Sequence, residues 1–126
     1  MIRTEPIIAV ANVEKSSEFY QKLLGCISKH GGTTFEILTD ENDEHILSLH
    51  KWGAHEHPTL INSKNSGNGL ILYFLVDSIT PIWENAIAMN AQIESEPKIN
   101  PNSRRLEFSI RDLDNYYISV CSEKTD

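Results

Sequence analysis

What this chain lacks narrows it first. Its 126 residues include only two cysteines, Cys26 and Cys121, with no Cys-x-x-Cys spacing. A zinc knuckle or redox pair therefore has little support, and both thiols read as small buried strand residues. Lysine and arginine number 11 against 18 aspartates and glutamates, and no basic cluster exceeds Arg104-Arg105. The resulting net charge of −7 repels phosphate backbones, which disfavours nucleic acid as a partner and suits neutral or cationic small ligands. Nowhere do about 18 apolar residues run together, as a membrane span requires. The opening Met1-Ile-Arg-Thr-Glu-Pro6 also lacks the apolar core of a secretory leader, so a cytoplasmic location without a membrane partner is expected. Missing too are a Gly-x-Ser-x-Gly elbow, a phosphate-cradling glycine loop and a His-Glu-x-x-His helix. Hydrolase, nucleotide-dependent and zincin chemistries thus lack support, and no catalytic residue can be named.

What is present is a repeat. Val10-Ala-Asn-Val13, followed by an amphipathic run ending Tyr20-Gln-Lys-Leu-Leu-Gly25 and then Ile27, recurs as Val76-Asp-Ser-Ile79, a run through Met89, and Ile93. Further along, Phe35-Glu36-Ile37 faces Leu106-Glu107-Phe108, and Ile46-Leu-Ser-Leu49 faces Tyr117-Ile-Ser-Val120. Two copies of one unit predict a pseudo-symmetric site within one domain spanning 1–126. Module one covers about 5–50, a connection runs over 51–68, and module two covers about 69–122. At this length a single core buries roughly two-thirds of the unfolded surface.

Each copy reads as β-α-β-β-β. In the first, residues 5–11 form a strand, and Asn12 caps a helix whose stripe is Val13, Ser16/Ser17, Tyr20, Leu23 and Leu24, with Gly25 as a left-handed stop. Gly31-Gly32 signals a two-residue hairpin between 26–30 and 33–39, and a strand over 44–50 completes the unit. In the second, Leu70 to Val76 leads into a helix capped by Thr80 and Pro81. Its stripe is Ile82, Trp83, Ala86, Ile87 and Met89, and Asn90 is placed to close it. Strands over 91–96, 104–110 and 116–122 follow.

Alternation along strands assigns the faces. Ile8, Val10, Leu47, Leu49, Leu72, Phe74, Phe108, Ile110, Ile118 and Val120 form an apolar face for the helices to cover. The other face carries Glu5, Glu36, Ser48, His50, Tyr73, Arg105, Glu107, Tyr117 and Ser119, a polar and aromatic mixture suited to binding. Glu36 and Glu107 match in the repeat, and with Glu5 they would put three carboxylates on one face. Such groups stay hydrated, await a cation, or pair with Arg105. The segment His50-Lys-Trp-Gly-Ala-His55-Glu-His57 opens the long connection, where Trp52 could close over a flat or cationic ligand. The plainer reading makes His55 and His57 solvated and His50 a satisfied strand-end residue.

The run Val-Ala-Asn-Val-Glu-Lys-Ser-Ser-Glu-Phe-Tyr-Gln-Lys-Leu-Leu-Gly at 10–25, with Leu-Tyr-Phe-Leu-Val-Asp at 72–77 and Glu-Phe-Ser-Ile-Arg-Asp at 107–112, resembles the vicinal oxygen chelate superfamily of glyoxalases, extradiol dioxygenases and bleomycin-binding proteins. The resemblance covers 5–122. Asp112-Leu-Asp-Asn115 stands where the family closes with Asp-Pro-Asp-Gly. It implies an α+β fold of two tandem βαβββ modules forming an incomplete barrel around a cleft, commonly in a homodimer.

Family enzymes hold a divalent metal through four side chains, and the positions implied here are Glu5, Ser48, Ile71 and Ser119. Only Glu5 is a good ligand; isoleucine offers no donor and neutral hydroxyls bind weakly. The expectation is therefore a metal-free protein that sequesters a cationic or polar aromatic small molecule. Glu5, Glu36, Ser48, His50, Trp52, Tyr73, Arg105, Glu107, Tyr117 and Ser119 would line its site. The alternative is a glyoxalase-type lyase, isomerase or dioxygenase with one displaced divalent metal involving Glu5 and His50, with Glu36 or Glu107 as further candidate ligands.

Overall fold

The computed structural model describes residues 1, 3–54, 57–62, 67 and 69–123, and the chain divides into two compact units, Met1–Ser66 and Gly67–Asp126. The first unit contains β1 (Ile7–Val10), α1 (Val13–Leu24), β2 (Ile27–Ser28), β3 (Phe35–Thr39), β4 (His45–Lys51) and a 3-10 turn at Pro58–Leu60. Its sheet runs β1-β4-β3-β2, with β1 parallel to β4 and the other pairs antiparallel. The second contains β5 (Ile71–Leu75), α2 (Thr80–Ala88), β6 (Gln92–Ile99), β7 (Leu106–Arg111) and β8 (Tyr117–Ser122), ordered β5-β8-β7-β6 with the same pattern of directions. Each is a βαβββ module, as the sequence predicts.

The start and stop of α1 follow from two residues. The Asn12 side chain accepts from the Lys15 amide at 2.9 Å, satisfying one of the helix's orphan donors. Gly25 takes φ 71° and its amide reaches the Gln21 carbonyl at 2.9 Å, ending the helix in a conformation that costs glycine little. Val13, Tyr20 and Leu23 then bury against Ile8, Val10, Leu38, Leu47 and Leu49, all at most 3% exposed. In module two the matching core is Leu72, Phe108, Ile110, Ile118 and Val120, with Ala86 from α2 and the Trp83 ring edge-on to Phe108 at 5.1 Å.

Three local expectations are corrected. Gly31-Gly32 does not make a two-residue hairpin, because the strands stop at Ser28 and resume at Phe35 and the intervening amides of His30 and Gly31 bond a side chain instead of a facing strand. Thr80 is the first residue of α2 rather than its cap; Ile79 holds that position and no side chain caps the helix. Ile87 is 54% exposed and lies outside the buried stripe. Asn90 does close α2, with φ 56° and its amide on the Ile87 carbonyl at 3.0 Å. Among the described residues, no helix is long and apolar enough to cross a membrane.

Candidate functional site

Register assigns each side chain to a face, since residues paired across a sheet share one. In module one, Ile7, Ser48 and Ile37 are partners, as are Ala9, His50 and Phe35. These lie on the side away from α1. Ile8, Leu49 and Glu36 are partners on the helix side, so Glu36 leaves the face on which the sequence placed it.

The Glu36 carboxylate is 2% exposed and fully employed. Its Oε2 accepts from Ser17 Oγ of α1 at 2.8 Å and Ser28 Oγ of β2 at 2.7 Å. Its Oε1 accepts from the amides of Gly31, Ile37 and His30 at 2.7, 2.9 and 3.2 Å. Burial alone would raise its carboxyl pKa, but the Gly31, Ser28, Ser17 and His30 donors outweigh burial and hold it below the ordinary value. This is a charge that ties helix, loop and sheet together, and neither a ligand nor Arg105 is needed to balance it.

The cause is a one-residue slip between the copies. Leu49 and Val120 match, and their antiparallel partners are Glu36 and Phe108. Glu36 thus corresponds to Phe108, and Phe35 to Glu107. Because side chains alternate with period two, that slip exchanges the faces.

On the open face of module one, His45 Nε2 and Ser48 Oγ lie 2.8 Å apart. His45 Nδ1 is buried and has no hydrogen-bond partner among the described residues. His50 is 3% exposed, and its Nδ1 is 2.7 Å from the Lys51 carbonyl. Rings run edge to face from His30 to Phe35 (5.2 Å), Phe35 to His50 (6.3 Å) and His50 to His57 (5.1 Å). Trp52 is half-buried, with its amide on the Val10 carbonyl at 3.3 Å. His55 lies outside the described residues. Glu5 precedes β1, is exposed and pairs with Arg3 at 3.5 Å.

On the open face of module two, Tyr73, Ser119 and Ser109 are partners, as are Ile71, Tyr117 and Arg111, and Leu75, Cys121 and Glu107. The Tyr73 hydroxyl donates to Glu107 Oε1 at 2.6 Å, and Asn100 Nδ2 donates to the same oxygen at 3.2 Å. That bond to a carboxylate, with burial, pushes the Tyr73 phenol up to about 12. Ser109 and Ser119 hydroxyls bond each other at 2.8 Å. Arg111 lies 4.9 Å over the Tyr117 ring and holds Glu94 at 3.0 Å. Arg105 reaches Glu123 at 3.5 Å. Asn100 was missed by sequence, whereas alternation puts Ser109 on this face and His45 falls near the start of its strand. Asn100 lies in a turn without periodicity.

The family's metal positions can be tested against this donor set. Ile7, not Glu5, stands opposite Ser48, and Tyr73, not Ile71, stands opposite Ser119. The Ser48 hydroxyl is taken by His45, the Ser119 hydroxyl by Ser109 and the Tyr73 phenol by Glu107. Ile71 is apolar. These groups do not fit a divalent ion, which wants several carboxylate or imidazole donors. The displaced pair fares no better: His50 is opposite Ala9, and Glu5, ahead of β1, lies four residues before Ala9, about 13 Å away at extended-chain spacing.

The sequence pattern of the Glyoxalase/Bleomycin resistance protein/Dioxygenase superfamily matches residues 3–120. No curated protein sequence matches the chain. Among solved structures, a glyoxalase/bleomycin resistance protein/dioxygenase family enzyme from Burkholderia phytofirmans PsJN superposes with TM-score 0.77 at 20% identity, covering 95% of this chain and 98% of its own. An integron cassette protein from the mobile metagenome of V. cholerae gives 0.73 at 19%, covering 98% and 99%. A virulence protein from Salmonella typhimurium gives 0.74 at 16%, covering 98% of each chain.

Proposed function

We propose, from the premise that this chain belongs to the Glyoxalase/Bleomycin resistance protein/Dioxygenase superfamily, that it binds a small organic molecule without requiring the divalent ion of the family's enzymes. The observation carrying this reading is the donor set: two serine hydroxyls already bonded within the sheets, an isoleucine, and a glutamate outside its strand. In each module, an open face stripped of metal ligands but carrying aromatic and polar groups suits recognition. In module two Tyr73 and Tyr117 supply flat surface and Glu107 a polar anchor; in module one Trp52 supplies flat surface and Ser48 and His50 polar anchors. A cationic or polar aromatic ligand fits the −7 chain best, in the manner of a bleomycin-resistance-type sequestering protein. The reading includes a cytoplasmic homodimer.

A thermal-shift screen of cationic antibiotics, aromatic diols and glutathione adducts, run with and without Zn, Ni, Mn and Fe salts, tests it. The expected result is ligand stabilisation indifferent to metal; at a hundredfold excess over Kd it amounts to about 2.7 kcal/mol. Stoichiometric metal that survives dialysis and is lost in Glu5→Gln or His50→Gln would instead favour a glyoxalase-type lyase, isomerase or dioxygenase.

A further inference from the structure

We propose that Arg105 and Glu107 form the two poles of a subsite for a zwitterion, a small molecule with an ammonium and a carboxylate a few bonds apart on an apolar or aromatic body, as in an aromatic α-amino acid. The inference rests on the small-molecule reading above and names its ligand class.

Arg105 immediately precedes β7 and Glu107 lies two residues on within it, about 7 Å away at strand spacing, and both side chains meet Tyr73. Opposite charges at that spacing commonly bridge. Here no direct ion pair forms: Arg105 turns to Glu123 at 3.5 Å and also meets Tyr73 and Cys121, and Glu107 takes both its hydrogen bonds, from Tyr73 and Asn100, on Oε1. Glu107 Oε2 has no protein donor among the described residues. The ion pair of Arg105 with Glu123 is long and the Glu123 side chain is 72% exposed, so a ligand carboxylate can replace that partner at little cost while Tyr73 and Cys121 keep the guanidinium in place.

The frame around the two charges is fixed. Asn100 Oδ1 accepts from the Asn102 amide at 2.8 Å, which aims its Nδ2 at Glu107. The Asn100 amide donates to the Arg105 carbonyl at 2.9 Å, and the Arg104 amide donates to the Asn100 carbonyl at 2.8 Å. The turn therefore sets where both poles begin. Cys121, fully buried, is the cross-strand partner of both Glu107 and Leu75, and its small side chain makes a floor between them. Beyond it, Ile71, Tyr73 and Leu75 of β5 are 57%, 43% and 55% exposed, an apolar strip beside a charged pair. A ligand with both charges would satisfy the open carboxylate oxygen, take the place of Glu123 at the guanidinium, and lay its body on that strip. A ligand with one charge satisfies one pole only.

Three probes isolate the poles in calorimetric and NMR titrations: L-phenylalanine carries both charges, phenethylamine the cation alone, and 3-phenylpropionate the anion alone. Phenylalanine is expected to bind at least tenfold tighter than either partial analogue. Glu107→Gln should bring its affinity to that of 3-phenylpropionate, and Arg105→Gln to that of phenethylamine. Either partial analogue matching phenylalanine on the unaltered protein overturns the proposal without recourse to variants. None of the three binding, while other compounds of the screen do, overturns the zwitterion subsite and leaves the small-molecule role standing; no compound binding at all removes both.

Discussion

Position 36 shows how much a single carboxylate can hold together. Five donors from a helix, a loop and two strands converge on Glu36, and removing it takes the acceptor from the buried Ser17 hydroxyl and from four part-buried donors. Glu36→Ala should cost about 3 kcal/mol or more in urea unfolding, since each lost bond to a charged group is worth about 1.5–3 kcal/mol. The pH dependence has a definite sign. The folded pKa lies below 4.5 and the unfolded one near it, so Glu36 stabilises above that value and the contribution drains away as pH falls below it. Glu36→Gln, less stable at neutral pH, should lose less on acidification over that window; an unchanged acid limb would show that other carboxylates govern it. Tyr73 offers the opposite test. Tyr73 should stay unionised until about pH 12 in an ultraviolet titration, and Glu107→Gln should bring its transition down toward the ordinary range.

At the scale of elements, the sequence was legible wherever local chemistry decides the outcome. Asn12 and Gly25 bracket α1 as read because cap and stop depend on a few neighbouring atoms. Asn12→Ala should lower stability by about 1 kcal/mol. Gly25→Ala should cost about 1 kcal/mol as well, through the left-handed φ of 71°, although an added Cβ would meet nothing within 4 Å. Both are measurable by chemical denaturation. Legibility failed where a distant partner intervenes. The hairpin signal at Gly31-Gly32 was overridden by the Glu36 side chain claiming the loop amides, and α2 buries only Ala86 of its helical residues, so its apolar spacing overstated the covered stripe. The side chains of the candidate site were the hardest to place, because a face assignment by alternation is only as good as the register beneath it. Tyr73, Ser119 and Glu107 stood on the expected side; Glu36 did not.

For the whole molecule, the tandem βαβββ order was readable from periodicity and order of elements, and family membership follows from the pattern over residues 3–120. The grouping of Tyr73, Asn100 and Glu107 was not, since it depends on a turn of residues 100–105 that carries no periodic signal. The homodimer expected from the family should appear in light scattering as twice the mass of one chain; a single-chain mass at every concentration would remove that part of the reading.

The slipped frame between β3 and β7 also bears on how such a protein diversifies. After duplication, one added or deleted residue in a hairpin moves a glutamate from the helix side to the open face without altering a single letter of the strand. Descendants of a common ancestor can then trade a helix-side anion for an open-face one in one genetic event, and residue-by-residue comparison of the halves would record it as simple conservation.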